Sequence, residues 1–290
     1  MCLNGLLLLI IFVLAILVVV LYKMNQKPVI VEISMTNDET FTYPELTVRP
    51  AIVFAGYKLD KFDYDFIKRW HDDIAFFVVV NGDPTEWDQK VIDVIGIDRY
   101  LNRENRGYDT VAWKEGLIKW KDKLRSYDMV ALVNNSCIYK IDLRSVFLHA
   151  RDYDMYGLGH TKGYGQWFLN TYFIVIGREL FNSSDFNDYW NNLPNIRGYL
   201  DACMRHEWKF SEHFRRLGYK CGVYDLTNQE HTVHRPDKKI DDKYHREFIK
   251  RKTIKKDPQT LDIFNKNMSH LQSVGPSRYF DFSKSTNPEK

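Results

Sequence analysis

Cysteine is scarce in this chain: there are four among 290 residues. They show no Cys-x-x-Cys pair and no other spacing typical of metal ligands; they are Cys2, Cys137, Cys203 and Cys221. Such usage argues against a disulfide-stabilised fold and a zinc-finger site, and it is typical of a reducing compartment. The sequence also has no internal repeat and no low-complexity tract, which argues against a repeat architecture.

An excess of charge of one sign is also missing, since the formal net charge is only +3. Neither this value nor the motifs favour a nucleic-acid partner, because the helix-in-groove and aromatic signatures of such proteins are lacking. Basic residues are concentrated locally over 235–256, with ten Lys and Arg against four Asp and Glu. Such a run is usually a solvated face, and the alternative is contact with an anionic ligand or a membrane surface.

Charged residues are absent from the apolar run GLLLLIIFVLAILVVVLY at 5–22. In a helix, at about 1.5 Å per residue, this run is long enough to cross the hydrocarbon core of a bilayer. A cleaved signal peptide would have a basic segment before a shorter apolar core, and nothing basic precedes this run. We therefore predict a transmembrane anchor over 1–27, followed by a stem over 28–50.

The orientation of this anchor follows from its flanking charges. Lys23 and Lys27 follow the apolar run, and no Lys or Arg precedes it. Because positive flanks stay in the cytosol, we expect a single-pass membrane protein whose body is cytosolic.

From residue 51 onward, apolar strand patterns alternate with helical ones. Strands are predicted over 51–55, 74–80, 95–101, 127–133, 172–176 and 219–224, and helices over 86–94, around Trp113 to Leu124, from Ser183 to Trp190 and from Glu207 to Leu217. This alternation is typical of an α/β fold with a largely parallel, Rossmann-like sheet flanked by helices. Ligands of such sheets bind at the carboxyl ends of the strands.

Polar residues follow several of these strands and are therefore expected on the ligand side of the sheet. They are Gly56-Tyr57, Asn81-Gly82, Asn105-Arg106-Gly107 and Asn134-Asn135-Ser136. The stretch from Asn105 to Asp109 opens a predicted helix and has two interpretations. Gly107 supplies a turn and Asp109 caps the helix, or the helix start and Arg106 form an anion site.

The order of these motifs resembles the rhamnan synthesis protein F group of glycosyltransferase-like proteins. The resemblance is found in NRGYD at 105–109 with W-x-x-G at 113–116, YD and LVNNS between 127 and 136, LNTYF at 169–173 and LGY at 217–219. It covers about residues 51 to 225, and it implies a GT-A-like domain over 51–235 with a basic extension over 236–290. The group commonly has Asn-Asp-Ser where this chain has Asn134-Asn135-Ser136.

The resemblance implies a nucleotide-sugar donor, a glycan or lipid-linked acceptor and an inverting transfer. In the GT-A plan, a carboxylate eleven residues before the Gly-Tyr pair is the catalytic base, and here that residue is Glu207. The alternative role of Glu207 is to complement the dipole of the helix it is predicted to begin. Candidate donor contacts are Tyr57, Asn105, Arg106, Gly107, Asp109, Asn134, Asn135 and Ser136, and candidate acceptor or sugar contacts are Trp167, Asn170 and Thr171.

This chain departs from the GT-A plan at the position of the metal site. Two carboxylates usually hold Mn²⁺ or Mg²⁺ against the diphosphate there, whereas amides and a hydroxyl are poorer ligands for such cations. If a metal binds, its candidate ligands are Asp109, His231 and His234. Two hypotheses remain open: a metal-independent enzyme in which Arg106 and the helix start stabilise the diphosphate, or a non-catalytic scaffold that binds a glycan or nucleotide sugar.

The function predicted from the sequence is that of a membrane-anchored glycosyltransferase in surface polysaccharide synthesis. The resemblance suggests rhamnose or another deoxysugar as the transferred group. No certain cofactor is predicted, and no nucleic-acid partner.

Overall fold

Parallel strands form the centre of the fold. The computed structural model describes residues 46–163, 166–224, 248–256 and 280–281. The strands in these ranges are β1 (Pro50–Tyr57), β2 (Ala75–Asn81), β3 (Tyr100–Arg103), β4 (Met129–Asn134), β5 (Cys137–Tyr139), β6 (Met155–Gly157), β7 (His160–Gly163), β8 (Gln166–Leu169), β9 (Phe173–Gly177), β10 (Cys221–Val223), β11 (Phe248–Lys250) and β12 (Phe280–Asp281).

The main sheet has eight strands within the described residues, in the order β12-β10-β6-β9-β4-β1-β2-β3. Strands β3, β2, β1 and β4 run parallel to one another, as do β6 and β10. β9 is antiparallel to both of its neighbours, β4 and β6, and β12 is antiparallel to β10. The predicted α/β fold with a mostly parallel sheet is therefore confirmed.

Helices cover both faces of this sheet. They are α1 (Lys61–Trp70), α2 (Glu86–Ile95), α3 (Tyr108–Lys119), α4 (Lys121–Leu124), α5 (Leu143–Ala150), α6 (Arg178–Asn182), α7 (Ser184–Asn191), α8 (Tyr199–Ala202), α9 (Phe210–Arg216) and α10 (Arg251–Lys256). α1, α2 and α5 pack on the face that includes Ile52 and Phe54. α3, α7 and α9 pack on the face that includes Val53 and Ala55. This separation follows from the two-residue period of β1.

The predicted anchor over 1–27 and most of the stem predicted over 28–50 lie outside the described residues. In the ranges that the structure describes, none of the helices combines the length and the apolar character that a bilayer crossing requires.

Two predicted elements have different boundaries in the structure. The strand predicted over 95–101 begins only at Tyr100, because Gly96 ends α2 at φ +85° and a 3₁₀ turn, Ile97–Arg99, follows it. The helix predicted to begin at Glu207 begins at Phe210 instead, since Glu207 is the last residue of a π-helix over Cys203–Glu207. Both differences come from local turns that the apolar periodicity does not reveal.

The start of α3 explains the glycine in the stretch from Asn105 to Asp109. Gly107 is the N-cap of the helix and has a left-handed backbone, with φ +70°. A Cβ at this position would lie 2.2 Å from Val111 Cγ2. Asp109 lies in the first turn and accepts a hydrogen bond from the neighbouring Thr110 N–H. The prediction that Asp109 caps the helix is therefore wrong, because Gly107 occupies the cap position.

Replacing Gly107 by alanine is expected to destabilise the protein through both backbone strain and overlap. The left-handed backbone costs about 1–2 kcal/mol for a residue with a Cβ, and overpacking costs about 1–3 kcal/mol. Gly218 has φ +96°, and a Cβ there would have no atom within 4 Å, so it is the matched control for backbone strain alone. Urea unfolding should show a larger loss for Gly107→Ala than for Gly218→Ala, and equal losses would contradict the clash with Val111.

A segment late in the chain, 248–256, lies beside the polar turn that follows β4. β11 pairs antiparallel with β5, with Lys250 opposite Cys137. The Arg251 N–H donates to the Ser136 carbonyl at 2.9 Å, and α10 begins there. Residues of the predicted 236–290 extension are thereby fixed beside the polar turn that follows β4.

Candidate functional site

A pocket of about 770 Å³ opens at the carboxyl ends of β1, β2 and β4. This is the edge of a parallel sheet at which ligands are expected, and the volume is typical of a small-molecule site. The residues that line it are Ala55, Gly56, Tyr57, Lys58, Asp60, Asn81, Asn105, Tyr108, Asp109, Asn134, Asn135, Ser136, Asn170, Thr171, Tyr172, Tyr199, Ala202, Glu207, Lys250, Arg251, Lys252 and Lys255.

Most of the predicted site residues meet in this pocket. Glu207 lines it, and so do six of the eight predicted donor contacts and two of the three predicted acceptor contacts; these eight are Tyr57, Asn105, Asp109, Asn134, Asn135, Ser136, Asn170 and Thr171. Residues that are far apart in the sequence are thus brought together, although their chemical roles stay predictions.

Other predicted site residues lie elsewhere. Arg106 is exposed, pairs with Glu104 at 2.8 Å and lies outside the described pocket lining, so its contact with the donor stays a prediction. Gly107 also lies outside that lining and turns the chain into α3, and its contact with the donor stays a prediction. The side chain of Trp167 and the whole of His231 and His234 are outside the described residues.

The turn after β4 is held by its own amide side chains. Asn134 Oδ1 accepts hydrogen bonds from Ser136 N at 3.1 Å and from Ser136 Oγ at 2.6 Å. Asn135 Oδ1 accepts from Tyr57 N at 3.2 Å, and its Nδ2 donates to the Tyr57 carbonyl at 3.3 Å. Asn134 therefore closes the turn on itself, and Asn135 links the ends of β4 and β1 at the pocket floor.

Asp109 is tied to this turn from the helix side. Asn134 Nδ2 donates to Asp109 Oδ2, so the start of α3 and the end of β4 are joined by a side-chain hydrogen bond. Enclosure by protein raises the pKa of Asp109, and the hydrogen bond from Asn134 and the charge of Lys250 oppose that rise.

Glu207 reaches the pocket from the π-helix. The hydroxyl of Thr171 and the thiol of Cys203 lie beside its carboxylate and act to lower its pKa. Enclosure by protein raises the pKa of Glu207, the charge of Asp109 raises it further, and the charge of Lys250 lowers it. The two carboxyls therefore lie close enough to influence each other, with the ammonium of Lys250 close to both.

Buried aromatic packing holds the π-helix in place. His206, the residue before Glu207, is fully buried, and its ring lies 5.1 Å from that of Trp190 and 4.8 Å from that of Phe210. Burial lowers the pKa of His206 to about 3, so the ring is neutral at physiological pH. It shares a hydrogen bond of 2.9 Å with the Tyr189 hydroxyl. This anchoring fixes the backbone that presents Glu207, and π-helical turns are frequent at functional sites.

Three tyrosines at the pocket are exposed to solvent: Tyr57, Tyr108 and Tyr199 have exposed fractions of 52%, 42% and 64%. The rings of Tyr108 and Tyr199 meet edge to face at 6.3 Å. Exposed aromatic rings in a pocket provide stacking faces for a base or a sugar. Tyr108 and Tyr199 are absent from the predicted sites, since the sequence does not distinguish them from core aromatics.

One side of the pocket is cationic, and none of its basic residues is among the predicted site residues. Five basic and three acidic side chains are found among the lining residues. Four of the five bases come from the short segment 250–255; they are Lys250, Arg251, Lys252 and Lys255. The basic run over 235–256 was the available signal; Lys252 and Lys255 are exposed, as expected of a solvated face, whereas Lys250 and Arg251 are partly buried.

The polar turn does not fit a divalent metal. Asn134 Oδ1 is already an acceptor for Ser136, Asn135 Oδ1 is an acceptor for Tyr57, and Lys250 Nζ donates to Ser136 Oγ at 3.0 Å. The oxygens that would replace the usual carboxylates are thus engaged, and a cationic group contacts the turn. In the described part of the chain, no three His, Cys, Asp or Glu side chains group closely enough to hold a metal ion.

Comparison with known structures gives weak similarities. A putative nucleotide-diphospho-sugar transferase from Desulfovibrio desulfuricans G20 is 14% identical, with 59% of this chain and 78% of that chain covered and a TM-score of 0.36. HddC from Yersinia pseudotuberculosis is 8% identical, with 53% and 83% covered and a TM-score of 0.33. The bifunctional glycosyltransferase WbbM is 9% identical, with 57% and 38% covered and a TM-score of 0.34.

Comparison of sequences is more informative. No curated protein matches the chain. The family model described as rhamnan synthesis protein F matches residues 76–273, which is more than half of the chain. The matched range contains Asp109, Asn134, Glu207 and Lys250, and it extends past the cationic segment.

Proposed function

Since this chain belongs to the rhamnan synthesis protein F family, a family of glycosyltransferase-like proteins, we propose that it transfers a sugar from a nucleotide-sugar donor to a glycan acceptor. The observation that supports this most directly is the meeting of Glu207, Asp109 and a cationic side in one pocket at the sheet edge. A general base and a site for a leaving anion are the two things this chemistry needs.

The proposed reaction is an inverting displacement. Glu207 removes the proton from an acceptor hydroxyl while that oxygen forms a bond to the anomeric carbon of the donor. The bond from this carbon to the diphosphate oxygen breaks, and the electron pair leaves with the nucleoside diphosphate. Thr171 and Cys203 lie beside the carboxylate and are placed to orient it, as a base requires if it is to meet its proton at short range.

The other parts of the donor have candidate contacts in the same pocket. The exposed ring of Tyr57, which follows β1, provides a stacking face for the base. Tyr108 and Tyr199 stand on the side of Asp109 and Glu207 and provide faces for sugar rings. Asn105 and Asn170 provide amide groups for sugar hydroxyls. The pocket volume of about 770 Å³ accommodates a nucleotide sugar with room left for an acceptor hydroxyl.

The setting of the reaction is proposed from the sequence. We propose that the apolar run over 5–22 anchors the chain in a membrane with its body in the cytosol, and that the domain follows the GT-A plan. The family name and the motif order favour surface polysaccharide synthesis, with rhamnose or another deoxysugar as the transferred group.

The proposed function is tested by incubating the full chain with UDP-, GDP-, CDP- and dTDP-sugars and measuring release of the nucleoside diphosphate. Release from at least one donor, increased by a glycan acceptor, is the expected result. If every donor stays intact but binds, the protein is a non-catalytic nucleotide-sugar-binding scaffold.

The pH dependence of transfer should report the environment of Glu207. The base acts only when ionised, and its pKa is raised above the ordinary value of 4.5, so kcat/KM is expected to rise with pH through a value above 4.5. Asp109→Asn removes a neighbouring negative charge and should move this acidic limb to lower pH. Asp93→Asn, on the exposed side of α2, is the control and should not move it. If the acidic limb of Asp109→Asn stays at the same pH as that of the parent, the charge of Asp109 does not influence the ionisation of Glu207.

A further inference from the structure

The position of one ammonium group suggests how the leaving diphosphate is neutralised. Lys250 Nζ donates to Ser136 Oγ at 3.0 Å and lies 4.4 Å from the centre of the Tyr172 ring. Ser136 Oγ in turn donates to Asn134 Oδ1, and Asn134 Nδ2 donates to Asp109. A continuous chain of hydrogen bonds thus connects Lys250 with the start of α3.

Strand pairing fixes the backbone of Lys250 beside the polar turn. Lys250 is the last residue of β11, which pairs with β5 directly after the polar turn. The next residue, Arg251, donates its N–H to the Ser136 carbonyl at 2.9 Å. The Arg251 side chain is occupied by the carboxylates of Asp60 and Asp63. Arg251 therefore serves to hold the segment, while Lys250 faces the pocket.

A lysine has three donor hydrogens, and the described residues accept one hydrogen bond from Lys250, that of Ser136. Further basic side chains of the same segment, Lys252 and Lys255, also line the pocket. The carboxylates usually needed to hold a metal are replaced by amides engaged in other hydrogen bonds. A fixed cation beside a turn without metal ligands is suited to an anion rather than to a second cation.

We propose that Lys250 replaces the divalent metal of the GT-A plan: its ammonium binds the donor diphosphate and neutralises the charge that grows on the leaving oxygen. This rests on the proposed function and adds a binding residue to it. As the bond between the anomeric carbon and the diphosphate oxygen breaks, negative charge collects on the nucleoside diphosphate. A pre-positioned cation stabilises that charge without reorganisation, and Lys252 and Lys255 add to the positive potential at the entrance.

The test is calorimetric titration of the full chain with pyrophosphate and with UDP, GDP, CDP and dTDP, in EDTA and then with Mn²⁺ or Mg²⁺. The parent protein is expected to bind pyrophosphate and at least one nucleoside diphosphate in EDTA, with affinity that falls as salt rises. Lys250→Met should weaken this binding about 10- to 100-fold, which is the effect of losing one hydrogen bond to a charged group.

The matched control is Lys90→Met. Lys90 also lies over an aromatic ring, 3.7 Å from the centre of Trp87, but on α2 and outside the described pocket lining. Its removal should leave diphosphate binding unchanged. Lys250→Arg keeps the charge and should retain most of the binding. If Lys250→Met does not fold, Lys250→Arg is compared with the parent instead. Diphosphate binding by Lys250→Arg in EDTA is then expected to stay salt-dependent.

Three outcomes overturn the proposal. Diphosphate binding by the parent that needs Mn²⁺ or Mg²⁺ would assign the role to a metal, while the proposed transferase function would stand. Unchanged diphosphate binding in folded Lys250→Met would make Lys250 a structural residue. A parent that binds none of the probes with or without metal would contradict both this proposal and the proposed function.

Discussion

Replacing Glu207 by glutamine is expected to remove almost all sugar transfer while the fold and donor binding persist. The amide keeps the size of the side chain and its hydrogen-bonding capacity, but it cannot accept the proton of the acceptor hydroxyl. Loss of a general base typically lowers the rate by about 10²–10⁴-fold. The measurement is single-turnover transfer with a saturating donor, combined with calorimetric donor binding and a thermal melt of the same variant.

The structure weakens the alternative role of Glu207 as partner of a helix dipole. The acidic residue in the first turn of α9 is Glu212, which pairs with Arg215 and Arg216 at 2.7 Å. Glu207 instead ends the π-helix before it and lines the pocket.

A matched control for Glu207→Gln is Glu86→Gln, since Glu86 is an exposed acidic residue in the first turn of α2. Its replacement should leave transfer unchanged. If folded Glu207→Gln transfers sugar within a few-fold of the parent rate, Glu207 is not the base.

Replacing Trp113 by alanine is expected to lower the free energy of unfolding by about 3–5 kcal/mol, the largest loss among the substitutions described. The side chain is 1% exposed, and its indole N–H donates to the Val133 carbonyl at 3.2 Å. Its ring also lies 6.1 Å from His206, beside Glu207. The substitution leaves a large cavity between α3, β4 and the π-helix. Because natural domains are stable by only about 5–15 kcal/mol, urea unfolding should show a midpoint far below that of the parent.

Two further variants define what Trp113 contributes. Trp113→Phe keeps an aromatic ring but loses the indole N–H, so it should cost less than the alanine variant. Trp87→Ala removes a half-buried tryptophan that lies under Lys90, and it should cost clearly less than Trp113→Ala. Equal losses for the two alanine variants would show that Trp113 is not a central packing residue of the fold.

The sequence predicted the parts of the site that depend on local pattern. Short apolar strands followed by polar residues predicted which edge of the sheet carries the site, and Asp109, Asn134 and Glu207 do meet there. Motif order was informative because parallel strands bring their carboxyl ends to one edge regardless of their separation in the chain.

The parts that the sequence did not predict depend on turns and on distant pairing. The π-helix before Phe210 shifts the start of α9 by three residues relative to Glu207, and periodicity does not detect such a turn. The left-handed backbone of Gly107 gives it the cap position that Asp109 was expected to take. Lys250 reaches the pocket through the pairing of β11 with β5, and nothing in a lysine-rich run specifies that partner strand.

The pairing of β11 with β5 also has a consequence for the order of folding. The residues joined by the Lys250–Ser136 hydrogen bond are 114 positions apart, and contacts between such distant residues form late because a long loop must first close. At the ~5–20 residues per second of protein synthesis, Lys250 is added several seconds or more after Ser136. A nascent chain can therefore assemble β1 to β4, with Asp109 beside Asn134, before Lys250 arrives. We expect the donor pocket to mature last, so that a ribosome-bound chain is folded at its centre before it is competent to bind a diphosphate.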